Sequence, residues 1–338
     1  MDNSTESKCL SRGAIELPVV TIAIPTYKRP SLLKQALLSA VSQKFAHVYE
    51  VVVVDNDAEC SSSLMDVREV VELLMLPNVW YYKNSQNIGM FGNWNRCIEL
   101  ARGEYISILN DDDILCEYFL RDAFELLLSS KDATAVASNH RIAYDEHLDY
   151  SYVPRSSFIG RLHSFGYLNT GSIPLQTFLV NHRIHGTLGV LARRLSLVEA
   201  GGFDPSLYPV SDYEFWIRLL MVGNKIYWIE KPYCCYRVFV NESLKPGMRR
   251  DFVRHEHRIR LDVARRLCAS SSIGILSNLS ALISFVLVLR LKFEGKRGIF
   301  RASFLLLWFL WFFLCVLYIK AFQLALLFRQ WQEEIRSY

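Results

Sequence analysis

Val51-Val52-Val53-Val54-Asp55-Asn56-Asp57 is a continuous β-branched run that stops on acidic residues. Four apolar residues in a row, with no polar alternation, read as a strand buried on both faces, the habit of a parallel sheet covered by helices. The same unit stands on either side of it. Upstream, Val19-Val20-Thr21-Ile22-Ala23-Ile24 is a second such strand, stopped by Pro25, and Ser31 opens a helical pattern with Leu32, Leu33, Ala36, Leu37, Ala40 and Val41 on one face. Downstream come a helical stretch near Ser63 to Leu76, a short strand at Trp80-Tyr81-Tyr82 and a helix over Phe91 to Ala101. A strand at Tyr105-Ile106-Ser107-Ile108-Leu109 then runs into Asn110-Asp111-Asp112-Asp113, with a helix following over Glu117 to Leu128.

Strands alternating with helices predict an α/β fold, Rossmann-like, with a mostly parallel sheet and helices on both faces. In such sheets ligands bind beyond the carboxyl ends of the strands. Those ends carry Thr26, Tyr27 and Arg29, then Asp55 and Asp57, then Asp111 to Asp113. From Asn139 to Asn181 the periodicity fades, which predicts loops forming a substrate wall. Order returns at Gly186 to Leu197, followed by Gly201-Gly202-Phe203-Asp204 and a helix over Asp212 to Val222.

The chain has 338 residues, 51% hydrophobic and 21% charged, enough apolar matter for a sizeable core and too much for a disordered protein. Its formal net charge of +4 is unevenly placed: Arg249 to Arg301 holds twelve Lys or Arg against four Asp or Glu. Beside that belt lie two uncharged apolar runs, Ile273 to Leu289 and Ala302 to Ile319. At 17 and 18 residues they fall at the lower edge of the ~17–25 that span a bilayer. This predicts a membrane-attached enzyme whose basic residues meet lipid headgroups, not a nucleic-acid binder, since the belt adjoins apolar runs rather than an aromatic platform. Arginines and lysines flank the first run on both sides, so it is expected to rest in the cytosolic interface; the second, rich in Trp and Phe, is the better candidate to insert deeply. Eight cysteines without metal-ligand spacing, and a polar start without a signal-length apolar run, point to a cytosolic catalytic part with reduced thiols. The expected division is a polar tail at 1–18, a catalytic domain at 19–248, and a basic linker with membrane-associated helices at 249–338.

Three successive carboxylates after a strand repel one another unless a cation screens them. A hard divalent ion held by one or two carboxylates plus substrate phosphates is one solution; a solvated turn capping the next helix is the other, and the nearby Asp55 favours the metal. Asp55 and Asp57 read either as turn formers or as acceptors for a base or ribose, and Arg29 either as a surface charge or as a phosphate contact. Asp212, at the start of a helix with an apolar stripe through Phe215, Trp216 and Leu219, reads as a dipole-favoured carboxylate or as a general base.

Taken together and in order, these segments resemble glycosyltransferase family 2, the inverting nucleotide-sugar enzymes of the GT-A fold, and in particular sugar transferases of bacterial surface polysaccharides of the O-antigen, lipopolysaccharide or capsule type. The similarity runs from Val19 to Arg237. Pro25-Thr26-Tyr27-Lys28-Arg29 looks like the family's first nucleotide-contacting segment and Val51 to Asp57 like its second. Asn87-Ile88-Gly89 and Asn93-Trp94-Asn95 resemble the pattern ahead of the metal strand, and Leu109 to Asp113 occupies the place of the Asp-x-Asp motif. Gly201 to Asp204 and Ser211 to Trp216 look like the acceptor-side segment. The resemblance implies nucleotide-sugar contacts at Pro25, Thr26, Tyr27, Arg29, Asp55, Asp57, Asn87, Asn95 and Asp111, and a Mg²⁺ or Mn²⁺ ion at Asp112 and Asp113. It implies Asp212 as catalytic base, and an acceptor side at His185, Gly186, Gly202 and Trp216. Three positions depart from the family pattern: Asn110 replaces a frequent Asp, Ser211 an acid, and Phe239 a His.

The implied reaction is transfer of a single sugar, with inversion, from a nucleotide-sugar to a hydroxyl of a polyprenyl-diphosphate-linked glycan at the cytoplasmic face of the inner membrane. The Gln-x-x-Arg-Trp signature of processive relatives is missing after Asp212. A polyprenyl-phosphate sugar synthase and a catalytically inactive membrane-bound sugar-nucleotide scaffold are the alternatives.

Overall fold

Strand β2 (Val20–Thr26) is buried along its whole length, and so is nearly all of β3 (Tyr49–Asp55), its parallel neighbour. Both read as continuous apolar runs because both faces of the sheet are covered. Helix α1 (Pro30–Val41), started by a proline in its first turn, lays Leu33, Ala36, Leu37 and Ala40 against Ile22, Ile24, Val51 and Val53. Successive strand residues point to opposite faces, and α3 (Gly89–Leu100) packs on the same two strands with Phe91, Trp94, Cys97 and Ile98 buried.

The computed structural model describes residues 6–58, 66–74, 76–143, 170–180, 184–237 and 248–266. The described residues fall into two compact units. The first holds all the strands: β1 (Ser7–Ser11), β2, β3, β4 (Val79–Asn84), β5 (Tyr105–Ile108), β6 (Ile114–Leu115), β7 (Ala133–Ala143), β8 (Thr170–Ser172), β9 (Val190–Arg193) and β10 (Lys225–Arg237). It also holds α1, α2 (Val67–Leu74), α3 and α4 (Phe119–Ser129). The second unit contains α5 (Leu175–Val180) and the basic helix α8 (Met248–Arg266), where Arg260 donates to the Leu179 carbonyl at 3.2 Å and pairs with Glu256 at 3.0 Å. Helices α6 (Arg194–Glu199) and α7 (Ser211–Met221) complete the first.

The sheet order is β1-β4-β3-β2-β5-β9-β7-β10-β6, with β8 on β10. Strands β4, β3, β2 and β5 are parallel, as the alternation predicts. The other half corrects that expectation: β9 runs antiparallel to both β5 and β7, and β6 and β8 antiparallel to β10, so the sheet is mixed. The polar start contributes an edge strand, since β1 pairs antiparallel with β4.

The stretch expected as loops from Asn139 is also corrected in part. Strand β7 continues to Ala143 because β10 offers it a parallel partner, His140 beside Cys234 and Arg141 beside Cys235. Its outer residues are only half-buried, which hides the strand in a sequence pattern. Residues 144–169, the start of the helix expected near Ser63, and both apolar runs at 273–289 and 302–319 lie outside the described residues. Among the described residues no helix is long and apolar enough to cross a membrane.

Leu37 is fully buried between α1 and the sheet. Leu37→Ala is expected to cost about 2–5 kcal/mol in chemical denaturation, with little change in the denaturant slope.

Candidate active site

Thr26 ends β2, Asp55 ends β3, and the two are partners in the parallel register. Strand β5 lies on the other side of β2, and the Leu109 N–H donates to the Ala23 carbonyl at 2.9 Å, so the chain leaves β5 beside Thr26. There Asp111, Asp112 and Asp113 sit with 6%, 6% and 0% exposure.

Each carboxylate faces different partners. Thr26 Oγ1 donates to Asp111 Oδ2 at 2.8 Å, and the Tyr27 N–H reaches the same oxygen at 3.4 Å. Arg29 Nη1 stands 3.0 Å from Asp112 Oδ2 and 3.5 Å from Asp111 Oδ1. Asp113 is turned inward: its Oδ1 accepts from the Arg237 N–H at 3.2 Å and its Oδ2 from Asn110 Nδ2 at 3.2 Å.

Arg237, the last residue of β10, is 1% exposed and ties the loop down. Its Nε donates to the Asp112 carbonyl, its Nη2 to the Asp111 carbonyl at 3.4 Å, and its Nη1 to Gln35 Oε1 on α1 at 2.6 Å. The antiparallel pairing of β6 with β10, Ile114 beside Cys235, brings these residues together. Burial pushes all three acids up. Asp111 rises to about 7, with the charge of Asp112 adding and Arg29 opposing. Asp112 is raised against the pull of Arg29, and Asp113 is raised well above the carboxylate range by burial and by Asp112.

Asp55 is fully buried, its Oδ2 accepting from the Tyr81 hydroxyl at 2.9 Å and its Oδ1 from the Asp57 N–H at 2.9 Å. Burial raises its pKa, while those two donors pull it down. Asp57 lies 3.6 Å from Lys28 Nζ. Between β3 and α3 runs an asparagine network. Asn56 Nδ2 donates to Asn87 Oδ1 at 2.8 Å, Asn84 Nδ2 to Asn56 Oδ1 at 3.0 Å and to Asn93 Oδ1 at 2.9 Å, and Asn93 Nδ2 to the Val54 carbonyl at 3.0 Å. Asn95, expected at the nucleotide, has both ends of its amide on the Phe203 backbone, at 2.7 and 2.8 Å. It thereby fastens the Gly201–Asp204 turn to α3.

Gly202 in that turn has φ +64°, and a Cβ there would stand 2.5 Å from Asn95 Oδ1, so glycine is required twice over. Of the residues expected on the acceptor side, Trp216 Nε1 donates to the Gly186 carbonyl at 2.8 Å. Gly186 also has positive φ, and its Cβ position lies 3.7 Å from Asn110 Nδ2, so α7 is anchored beside the acidic loop. Asp212 stands one helical turn before Trp216 on the same face. The His185 ring stacks on Tyr236 at 5.0 Å and meets His140 edge-on at 4.4 Å.

The donor set decides how a metal fits. Among the described residues no three His, Cys, Asp or Glu are gathered into a cage. Asp113 has both oxygens engaged and no exposure, which leaves Asp112 with Asp111 beside it. That suits a hard cation bound through one or two carboxylates, with phosphates and water supplying the remaining ligands.

A profile of glycosyl transferase family 2 matches residues 21–186, from β2 to the Gly186 turn. That stretch, just under half of the chain, is similar to glycosyltransferase family 2. Asp212 lies beyond the matched residues. The chain is 26% identical over 237 residues to the Campylobacter jejuni GalNAc(5)-diNAcBac-PP-undecaprenol beta-1,3-glucosyltransferase, covering 68% of each chain. It is 29% identical over 212 residues to an uncharacterised Mycobacterium tuberculosis protein, spanning 60% of this chain and 62% of that relative's length. Among solved structures, Staphylococcus aureus TarS 1-349 in complex with UDP-GlcNAc superposes with a TM-score of 0.57 at 18% identity, covering 79% of this chain and 71% of that one. A mannosyltransferase of Pyrobaculum calidifontis in complex with GDP-Man and Mn²⁺ gives 0.56 at 19% identity, covering 92% and 87%. These likenesses establish an α/β, GT-A-like fold with a mixed sheet.

The raised Asp111 has a consequence for stability. The folded chain keeps the Asp111 proton up to about pH 7, where the unfolded chain has already lost it, so stability falls as pH rises through that window. Asp111→Asn is expected to gain in melting temperature relative to wild type between about pH 5 and about pH 8 in EDTA, and a constant difference would contradict the assignment.

Proposed function

We propose that the protein transfers a single sugar, with inversion, from a nucleotide-sugar to a hydroxyl of a polyprenyl-diphosphate-linked glycan in surface polysaccharide assembly. The observation that carries this reading is the meeting of three strand ends, Thr26, Asp55 and Asp111 to Asp113, with the helix that contains Asp212 tied nearby through Trp216 and Gly186. In this reading Asp112, with Asp111 beside it, would hold Mg²⁺ or Mn²⁺, which would supply charge neutralisation for the leaving diphosphate.

The chain's residues do the rest. Thr26 and the Tyr27 N–H hold Asp111, and Arg237 fixes the loop from behind through two carbonyls. Asp212 accepts the proton of the acceptor hydroxyl. The hydroxyl oxygen bonds to the anomeric carbon as the bond from that carbon to the diphosphate oxygen breaks on the opposite face, which inverts the configuration. Trp216, through Gly186, sets the position of α7 and so of the base. Positioning and electrostatics supply much of the acceleration, because the diphosphate is already a good leaving group.

The Campylobacter relative, whose name specifies an undecaprenol-linked substrate, supports a lipid-linked acceptor. The basic composition of α8 and the two uncharged apolar runs that follow it support attachment to the cytoplasmic face of the membrane.

The test is nucleoside diphosphate release by membrane-reconstituted full-length protein from UDP-, GDP- and dTDP-sugars, with Mg²⁺ or Mn²⁺ and a lipid extract of the source cell. Asp212→Asn is expected to lower turnover by about 100- to 10,000-fold while nucleotide affinity stays within about threefold. Unchanged turnover in Asp212→Asn would overturn the hydroxyl acceptor and favour a lipid phosphate, which needs no base. Nucleotide binding with no release from any donor would leave only the scaffold.

A further inference from the structure

Arg29 stands where the reading of Asp112 as the metal carboxylate would have a cation arrive. Its Nη1 is 3.0 Å from Asp112 Oδ2 and 3.5 Å from Asp111 Oδ1, and the two carboxylates are only 9% and 8% exposed against 28% for the arginine. The backbone that carries it is fixed on both sides. Lys28 before it has φ +55°, and Pro30 after it opens α1. Any reorientation therefore falls to the side chain.

A hard divalent ion needs the Asp112 oxygen at about 2.0–2.6 Å. That oxygen already accepts a charge-assisted bond from a guanidinium, and a second, doubly charged cation would crowd it in a place where water screens poorly. A nucleoside diphosphate removes the conflict. Its phosphates offer the guanidinium a planar, two-pronged partner, and they supply the ion with oxygen ligands that the protein lacks among its described residues.

We propose that Arg29 is a latch on Asp112: it excludes the divalent ion from the protein alone, and it turns onto the diphosphate when the donor arrives, so that metal and donor load together. The inference rests on the nucleotide-sugar reading above and assigns Arg29 a positioning role that a plain phosphate contact does not have. A plain contact predicts only that its loss weakens nucleotide. A latch predicts that its loss strengthens metal.

The experiment is Mn²⁺ titration of the full-length protein followed by the electron paramagnetic resonance signal of free Mn²⁺, alone and with UDP, GDP or dTDP. Wild type, Arg29→Gln, Arg29→Lys and Asp112→Ala are compared. Wild type is expected to bind Mn²⁺ weakly until nucleotide is added, and Asp112→Ala to lose the nucleotide-dependent binding. Arg29→Gln is expected to bind Mn²⁺ alone about tenfold more tightly or better, with the tightening caused by nucleotide shrinking by a similar factor, as linkage requires. Arg29→Lys keeps the charge without the fork and should fall between. Should Arg29→Gln fail to fold, Arg29→Lys alone decides, with the same direction expected. Tight Mn²⁺ binding by wild type without nucleotide, or unchanged or weaker Mn²⁺ binding in the Arg29 variants, would overturn the latch while leaving the nucleotide-sugar reading in place. Failure of UDP, GDP and dTDP alike to bring Mn²⁺ to wild type would overturn that reading itself, and the latch with it.

Discussion

Burying three consecutive carboxylates at a strand end costs several kcal/mol for each charge unless donors and cations meet them, and the acidic loop of this protein is shaped by how that cost is offset. Arg29 opposes it at Asp111 and Asp112, and Arg237 opposes it at Asp113 while tying down the backbone of the loop. One nearly inaccessible guanidinium joins the end of β10, the carbonyls of Asp111 and Asp112 and the side chain of Gln35 on α1, while its own N–H holds Asp113. Three elements distant in sequence are pinned at one point. The short β6, antiparallel to β10, follows from the same junction.

With the loop held from behind, its front is free for chemistry. Asp113 is spent on the junction, Asp111 is held by Thr26, and Asp112 faces Arg29. Division of labour among three adjacent acids thus follows from their burial and partners and not from their chemical identity. The asparagine network does similar work on the other side, holding the turn after β3 to α3 through side-chain amides that a parallel sheet end leaves room for. Asn56, Asn84 and Asn93 each both donate and accept, so these amides are satisfied without burying charge.

Much of this was legible in the sequence, and the exceptions have physical causes. The buried parallel strands announced themselves through Val51 to Val54 and Val19 to Ile24, and their acidic ends located the site. The helix carrying Asp212 and Trp216 was visible from its apolar stripe, and its observed start at Ser211 differs by one residue. The antiparallel half was not visible, because pairing direction leaves no trace in an apolar run such as Val190 to Arg193, and β1 was hidden in a polar segment that pairs only along one edge. Arg237 carries no signal of its role in the sequence. Nothing local marks an arginine as buried when its partners are carbonyls 125 residues away. Asn56, Asn84 and Asn93 each look like turn residues alone, and only the fold makes them one network.

The central claim is that a nucleotide-sugar lies across the three strand ends. Hydrogen–deuterium exchange of the full-length protein, with and without UDP-sugar or GDP-sugar and Mn²⁺, tests it most directly. The account predicts that a bound donor slows exchange in peptides covering Thr26 to Arg29, Asp55 to Asp57 and Asp111 to Asp113 together, with smaller changes along β1 and α4. Saturating donor that protects other segments and leaves these three unchanged would contradict it.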